Sequence, residues 1–316
     1  MTSTRRSGRE RPIKTSRPMP DSKSVHGNAR HERAPQGWIG QLVASRVAGA
    51  MPQGGPNERF MRYVQNPMWN FLCDHYFRLE IDGWHRIPDE PSLLIGIHSG
   101  GALTMDAWTL VHSWYRHFEG RRILRGTAHD VLMAAPLLGD YFKAVGVIPA
   151  SRQGVTAALA AGHDVIVWPG GEQDAMRHWR HRDKAMLFGR KGFVRQAIRS
   201  GVPIVPVATV GGHDTVFVLS EGRFIARWTG LGKRLRGATM PIIAGFPFPL
   251  AVEILPAHLP LPAKIRTEFL DPIRVDTDPA RADDTDYVDN IYDQVEGAIQ
   301  DEMDRLATRR SFPVLG

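Results

Sequence analysis

The chain has 316 residues, 42% of them hydrophobic and 23% charged, enough for one large α/β domain with a sizeable core. Its single cysteine, Cys73, excludes an internal disulfide framework and a cysteine-rich metal site, and fits a reducing cytoplasm. The net charge of +7 invites a nucleic-acid partner, but residues 1–36 hold nine Lys/Arg against three Asp/Glu, so the rest of the chain is nearly neutral and no specific nucleic-acid surface is expected.

Residues 1–36 are rich in Ser, Pro, Arg and Gly and poor in large apolar residues, a composition that predicts a disordered basic tail. Three uses stay open for it: lying on an anionic membrane surface, binding nucleic acid non-specifically, or solubilising the chain. Arg5-Arg6 is followed by no apolar segment and is not read as an export signal. No apolar run reaches about 18 residues, so no transmembrane helix is predicted.

Two helical patterns follow within residues 37–80. One runs from Trp38 to Met51. The other runs from Glu58 to Phe77, apolar at Phe60, Tyr63, Val64, Met68, Phe71 and Leu72, with Pro67 expected to kink or divide it. Such a helix either docks on the domain or lies at a membrane interface.

Residues 81–316 read as one domain. Strands are predicted at Ser92–His98, Arg122–Thr127, Gly146–Ala150, Asp164–Trp168, Pro203–Val210 and Lys264–Phe269, with helices around 104–118, 135–144, 153–162 and 190–200. Near-continuous apolar strands separated by helices predict an α/β fold, a mostly parallel central sheet covered by helices on both faces. The stretch Met240–Pro262 carries six prolines, which excludes a long helix. It is either a connection packed on the core or an apolar ledge that admits an acyl chain or dips into lipid. A last helix runs from Asp284 to Arg309, apolar at Tyr287, Ile291, Val295, Ile299, Met303 and Leu306.

In such sheets, sites gather at the carboxyl ends of strands. Two segments sit there. The first strand stops at His98, followed by Ser99-Gly100-Gly101 and a helix carrying Asp106; the fourth runs into Pro169-Gly170-Gly171-Glu172-Gln173-Asp174. A histidine on a rigid strand end, with an open glycine turn beside it, is what a general base needs. Its orientation and basicity improve if a carboxylate accepts from its other ring nitrogen; Asp106, Asp174 and Glu172 are the candidates. The glycines at 100–101 and 170–171 are expected to admit a ligand close to the backbone. Arg152, Arg177, Arg190 and Lys191 are candidate phosphate contacts.

Other chemistries fit less well. His129-Asp130, His163-Asp164 and His213-Asp214 raise a metal phosphohydrolase, but such sites need ligands converging from several helices, and no metal is expected. The nucleophile elbow of a serine hydrolase is absent. No phosphate-binding loop ending in Gly-Lys-Ser/Thr exists, and no dinucleotide fingerprint follows the first strand.

Four blocks in order resemble the glycerolipid and lysophospholipid acyltransferase superfamily, closest to its diacylglycerol-acyltransferase-like, lipid-droplet-type members. They are His98-Ser99-Gly100-Gly101 with Asp106; GVIPASR from Gly146 to Arg152; WPGGEQDAMR from Trp168 to Arg177 with FGRKGF from Phe188 to Phe193; and VPIVPV from Val202 to Val207. The chain departs from most of the superfamily in having seven residues between histidine and aspartate instead of four, with Leu103 where the aspartate would fall. The resemblance implies a glycerol-phosphate acyltransferase-like fold and transfer of a fatty acyl group from acyl-CoA, with acyl carrier protein as the alternative donor, as co-substrate and without a bound cofactor, to a glycerolipid or lysophospholipid hydroxyl. It implies His98 as base, Ser99, Gly100, Gly101, Gly170, Gly171 and the four cations near substrate, and a cytoplasmic protein peripheral to the membrane. The alternatives are a catalytically idle lipid-binding protein on the same scaffold, motivated by the stretched spacing, and a nucleic-acid-associated protein working through the tail.

Overall fold

The computed structural model describes residues 55–229, 239–253, 258–312 and 314. The basic stretch 1–36 and the expected helix Trp38–Met51 lie outside them. The strands are β1 (Glu80–Asp82), β2 (Leu93–Ile95), β3 (Leu124–Ala128), β4 (Ile148–Pro149) and β5 (Asp164–Val167). They continue with β6 (Ile204–Val210), β7 (Phe217–Ser220), β8 (Ile242–Ala244), β9 (Ala251–Val252) and β10 (Arg266–Phe269). Seven of them form the central sheet in the order β1-β10-β6-β2-β5-β3-β4. β6, β2, β5, β3 and β4 run parallel, β10 lies antiparallel beside β6, and β1 pairs parallel with β10 at that edge. The fold is therefore α/β with a mostly parallel sheet.

The strand sequences build both cores at once, because successive side chains point to opposite faces. Leu93, Ile95, Val165, Ile204 and Ala208 enter one cluster, and Leu94, Ile166, Val205 and Val207 enter the other. Among the described residues, helical segments that cover these faces or border the site are α1 (residues 58–76), α2 (Met105–His117), α3 (Asp130–Ala134), α4 (Leu138–Ala144), α5 (Arg152–Ala160), α6 (Gly171–Ala175), α7 (Gly192–Ser200) and α8 (Arg223–Thr229). α9 (Thr285–Thr308) starts at Asp284, whose carboxylate accepts the Tyr287 backbone N–H. Its buried stripe, Val288, Ile291, Val295, Ile299, Met303 and Leu306, packs beside α5 and α7 on the first face. Each such side chain contributes about 1.5–3 kcal/mol when fully buried. α2 packs on the second face through Leu110, Val111 and Trp114.

Pro67 does not divide α1. The turn before it, Met61–Gln65, is a π turn, and Pro67 lies in the first turn of the next α segment. Widening the hydrogen-bond ladder there removes the need for the donor that proline lacks. One side of α1 docks through Met61, Trp69 and Cys73, while Tyr63, Val64, Met68 and Phe71 face outward. The helix thus docks on the domain through one face and leaves an apolar face exposed on the other.

The Met240–Pro262 stretch holds more regular structure than its prolines suggest. β8 pairs with β7 on one side and β9 on the other in a small antiparallel sheet, with Pro247 and Pro249 in the turn between β8 and β9. Val216, Val218 and Ile243 are buried on one side, and Phe246, Phe248, Leu250 and Val252 are exposed.

Candidate active site

β2 ends at Ile95, but its pairing continues one residue further, where the Gly96 N–H donates to the Val167 carbonyl at 3.1 Å. Gly96 has to lack a side chain, because a Cβ there would lie 2.7 Å from Trp168 Nε1. The indole therefore crosses the strand end, and the His98 ring stacks on it, centroids 4.7 Å apart and planes 7° from parallel. Both residues stand at the carboxyl ends of neighbouring parallel strands, where such sheets place their sites. Trp168 was not singled out from sequence, although it opens the WPGG block directly at a strand end.

The long interval between His98 and Asp106 is taken up by an extra turn. Gly100 and Gly101 have φ of 92° and 65°, and Thr104 has 42°. The 3₁₀ turn Gly101–Leu103 lies between them, after which Asp106 occupies the second position of α2. The carboxylate arrives back beneath its histidine: Asp106 Oδ2 is 3.4 Å from His98 Nδ1. Its other oxygen accepts the Ser99 backbone N–H at 2.7 Å and the Ser99 hydroxyl at 3.2 Å. Asp106 is buried, whereas the His98 side chain retains 17% exposure. With Nδ1 turned to the carboxylate, Nε2 is the nitrogen left for a reacting group. A contact of 3.4 Å is long, as is common before substrate tightens a site.

Asp174 reaches His98 by a different route. Its Oδ2 accepts the His98 backbone N–H at 2.5 Å, and its Oδ1 pairs with Arg177 Nη1. The same Arg177 nitrogen donates to the His98 carbonyl oxygen at 3.2 Å. The ion pair thus grips the backbone of His98 on both sides and leaves the imidazole to Asp106. Both members are buried; desolvation pushes the Asp174 carboxyl up to about 7, against the pull of Arg177.

Several residues chosen for ligand contact serve the protein's own framework. Ser99 orients Asp106 and is buried. A Cβ on Gly100 would lie 2.9 Å from Thr215 Oγ1, and one on Gly170 would lie 2.5 Å from the Met186 carbonyl oxygen. These glycines make room for packing atoms instead of a ligand. The Glu172 carboxylate accepts the Thr239 backbone N–H at 2.8 Å and the Thr239 hydroxyl. Arg177 is held by Asp174, and Arg190 donates to the carbonyls of Pro169 and Gly170 at 2.8 and 3.1 Å. Lys191 pairs with Asp289 at 2.6 Å. Arg152 stands exposed at the first turn of α5.

The His-Asp pairs do not converge. Asp164 is held by Arg122 and the Ser92 N–H, and Asp214 by Arg310 and Trp179. His213 is buried beside Arg177, and desolvation holds its pKa well below the usual value. Among the described residues, no group of three or more His, Cys, Asp or Glu is placed to hold a metal ion.

A family model described as diacylglycerol acyltransferase matches residues 50–311. An uncharacterised protein of Mycobacterium tuberculosis is 29% identical over 283 residues, covering 86% of this chain and 76% of its own. Human diacylglycerol O-acyltransferase 2 is 26% identical over 181 residues, 54% of this chain and 46% of its own. Human 2-acylglycerol O-acyltransferase 3 is 28% identical over 173 residues, covering 51% and 48%. Among solved structures, the 1-acyl-sn-glycerophosphate acyltransferase of Thermotoga maritima superimposes with a TM-score of 0.48 at 15% identity, covering 87% of this chain and 90% of that one.

Proposed function

Since the chain belongs to the diacylglycerol acyltransferase family, we propose that it moves a fatty acyl group from acyl-CoA to a hydroxyl of a glycerolipid, with His98 as general base. The observation that carries this reading is the His98–Asp106 pair at the end of β2, its Nδ1 turned to a buried carboxylate. In the proposed step the acceptor O–H gives its proton to His98 Nε2 as its oxygen attacks the thioester carbonyl. The C–S bond then breaks, and the imidazolium returns the proton to the departing thiolate. Asp106 holds the ring in the orientation that presents Nε2 and stabilises the imidazolium.

The acceptor in this reading is an uncharged lipid alcohol. Arg177 and Lys191 are ion-paired and Arg190 is spent on backbone carbonyls, which disfavours a phosphate beside His98. Arg152, exposed at a helix N-terminus, is the cation best supported as a contact for the coenzyme phosphates.

Two apolar surfaces support a peripheral membrane position. One is the outer face of α1, where Tyr63 is 70% exposed; the other is the rim of the small sheet with α8, where Trp228 is 82% exposed. The Tyr76 hydroxyl donates to the Pro260 carbonyl at 2.7 Å, joining the end of α1 to the small-sheet region. No helix of the described residues is long and apolar enough to cross a membrane. The test is incubation with oleoyl-CoA and detergent-dispersed dioleoylglycerol, monoacylglycerol and lysophosphatidate, following free thiol and lipid products. Triacylglycerol formation supports the reading. Thiol release with lysophosphatidate alone moves the acceptor to the phosphorylated class.

A further inference from the structure

A second histidine–carboxylate pair lies against the same glycine turn. His258 Nδ1 is 2.5 Å from Glu253 Oε1, and both side chains are buried. Glu253 follows β9, and its own N–H donates to the Pro241 carbonyl at 2.8 Å, so the pair is mounted on the small sheet. Its other carboxylate oxygen accepts the Ala102 backbone N–H at 3.4 Å. Gly101 sits so close that a Cβ there would lie 3.1 Å from Glu253 Oε2 and 3.3 Å from His258 Cε1. His258 Nε2 is buried and meets no hydrogen-bond partner among the described residues. Burying two ionisable groups and leaving a ring nitrogen unmatched costs stability that an apolar filling of the same space would not. The Ala102 N–H that the pair grips lies in the stretch that joins His98 to Asp106.

We propose that Glu253 and His258 are positioning residues for acyl transfer. They fix the Gly101–Ala102 turn and so hold Asp106 within reach of His98 Nδ1. The proposal rests on the acyl-transfer reading above. The reach is tight: at 3.4 Å, a few tenths of an ångström more removes the Asp106–His98 contact. Gly100 and Gly101 carry no side chains of their own, so the turn between Ser99 and Asp106 is held from outside, and Glu253 reaches it at Ala102.

The experiment compares Glu253→Ala, Glu253→Gln and His258→Asn, measured as turnover per folded molecule with oleoyl-CoA and dispersed dioleoylglycerol. Glutamine keeps an oxygen for the Ala102 N–H, and asparagine keeps an amide donor where Nδ1 stood. Glu253→Ala is expected to lower kcat about 10- to 100-fold with both KM values unchanged, in line with the cost of misplacing a catalytic group by about an ångström. Glu253→Gln and His258→Asn should restore most of it. The ring nitrogens of His98, followed by ¹⁵N resonance in histidine-labelled protein and assigned with His98→Gln, should shift in Glu253→Ala and not in Glu253→Gln. That readout needs no substrate, so an inactive wild type would condemn the acyl-transfer reading while the resonances still decide the role of the pair. Unchanged turnover per folded molecule with unmoved His98 resonances overturns the proposal. So does a raised acceptor KM at constant kcat, which would place the pair on the substrate itself.

Discussion

Asp174 holds the backbone of His98 and Asp106 holds its ring: one carboxylate meets the His98 N–H at 2.5 Å, the other lies 3.4 Å from Nδ1. The two aspartates therefore fail differently. Asp106→Asn should fold normally and lose about 10²–10⁴-fold in kcat, because an amide no longer fixes the productive tautomer. Asp174→Ala leaves Arg177 buried and unpaired, which typically costs about 3–5 kcal/mol, so it should appear first as a lowered melting temperature. Thermal unfolding and turnover per folded molecule, measured on both variants, separate the roles. Equal loss of turnover without loss of stability in Asp174→Ala would show that it, too, serves the ring.

His98→Ala should remove acyl transfer while leaving the melting temperature and vesicle binding close to wild type. The ring contributes a stack on Trp168 but no core packing of the kind that holds the sheet. More than about a tenth of wild-type turnover would exclude His98 as the base, since losing one typically costs 10²–10⁴-fold.

His112 gives a pH dependence with a definite sign. Its Nε2 lies 2.9 Å from Asn70 Oδ1, tying α2 to α1, and burial lowers its pKa from 6.5 to about 4. The unfolded chain binds this proton between those values and the folded chain does not. The contribution of neutral His112 is therefore complete above about pH 6.5 and is lost as pH falls towards 4. His112→Gln, which keeps a group for Asn70, should flatten the fall in stability between pH 6.5 and 4 measured by denaturant titration. An unchanged slope would remove His112 from the acid response.

Membrane attachment should divide into a salt-sensitive and a salt-insensitive part. Replacing Phe246, Phe248 and Leu250 by Ser removes exposed apolar area and should weaken vesicle binding alike at low and high salt. Deleting residues 1–36, which carry nine Lys/Arg, should weaken binding to anionic vesicles mainly at low salt and spare turnover in detergent. Flotation at two ionic strengths distinguishes them; unchanged binding in either variant removes that segment from the anchor.

The strands most legible in the sequence are the ones buried on both faces. β2, β5 and β6 announce themselves as apolar runs, whereas β1 is a half-exposed Glu80–Asp82 and gives no such signal. The small sheet was hidden by prolines that fall in its turn. His98 was legible because a strand end and a glycine turn are local features. The choice between Asp106 and Asp174 was not, since it depends on whether a carboxylate meets a ring or a backbone. Glu253 and His258 lie about 150 residues from the turn they grip, and no local motif marks a contact of that range. The framework use of Ser99 and Gly170 was equally invisible, because a short side chain looks the same whether the space beside it holds a ligand or a neighbour.

The stack of His98 on Trp168 also makes the site readable by light. An indole 4.7 Å from an imidazole loses emission when that ring becomes cationic, because the charged ring accepts the excited electron more readily. The chain has eight tryptophans, so the difference between wild type and Trp168→Phe isolates this one. Its pH titration would follow the charge on His98 in the absence of any lipid, donor or product, and adding a substrate would show at once whether that charge responds.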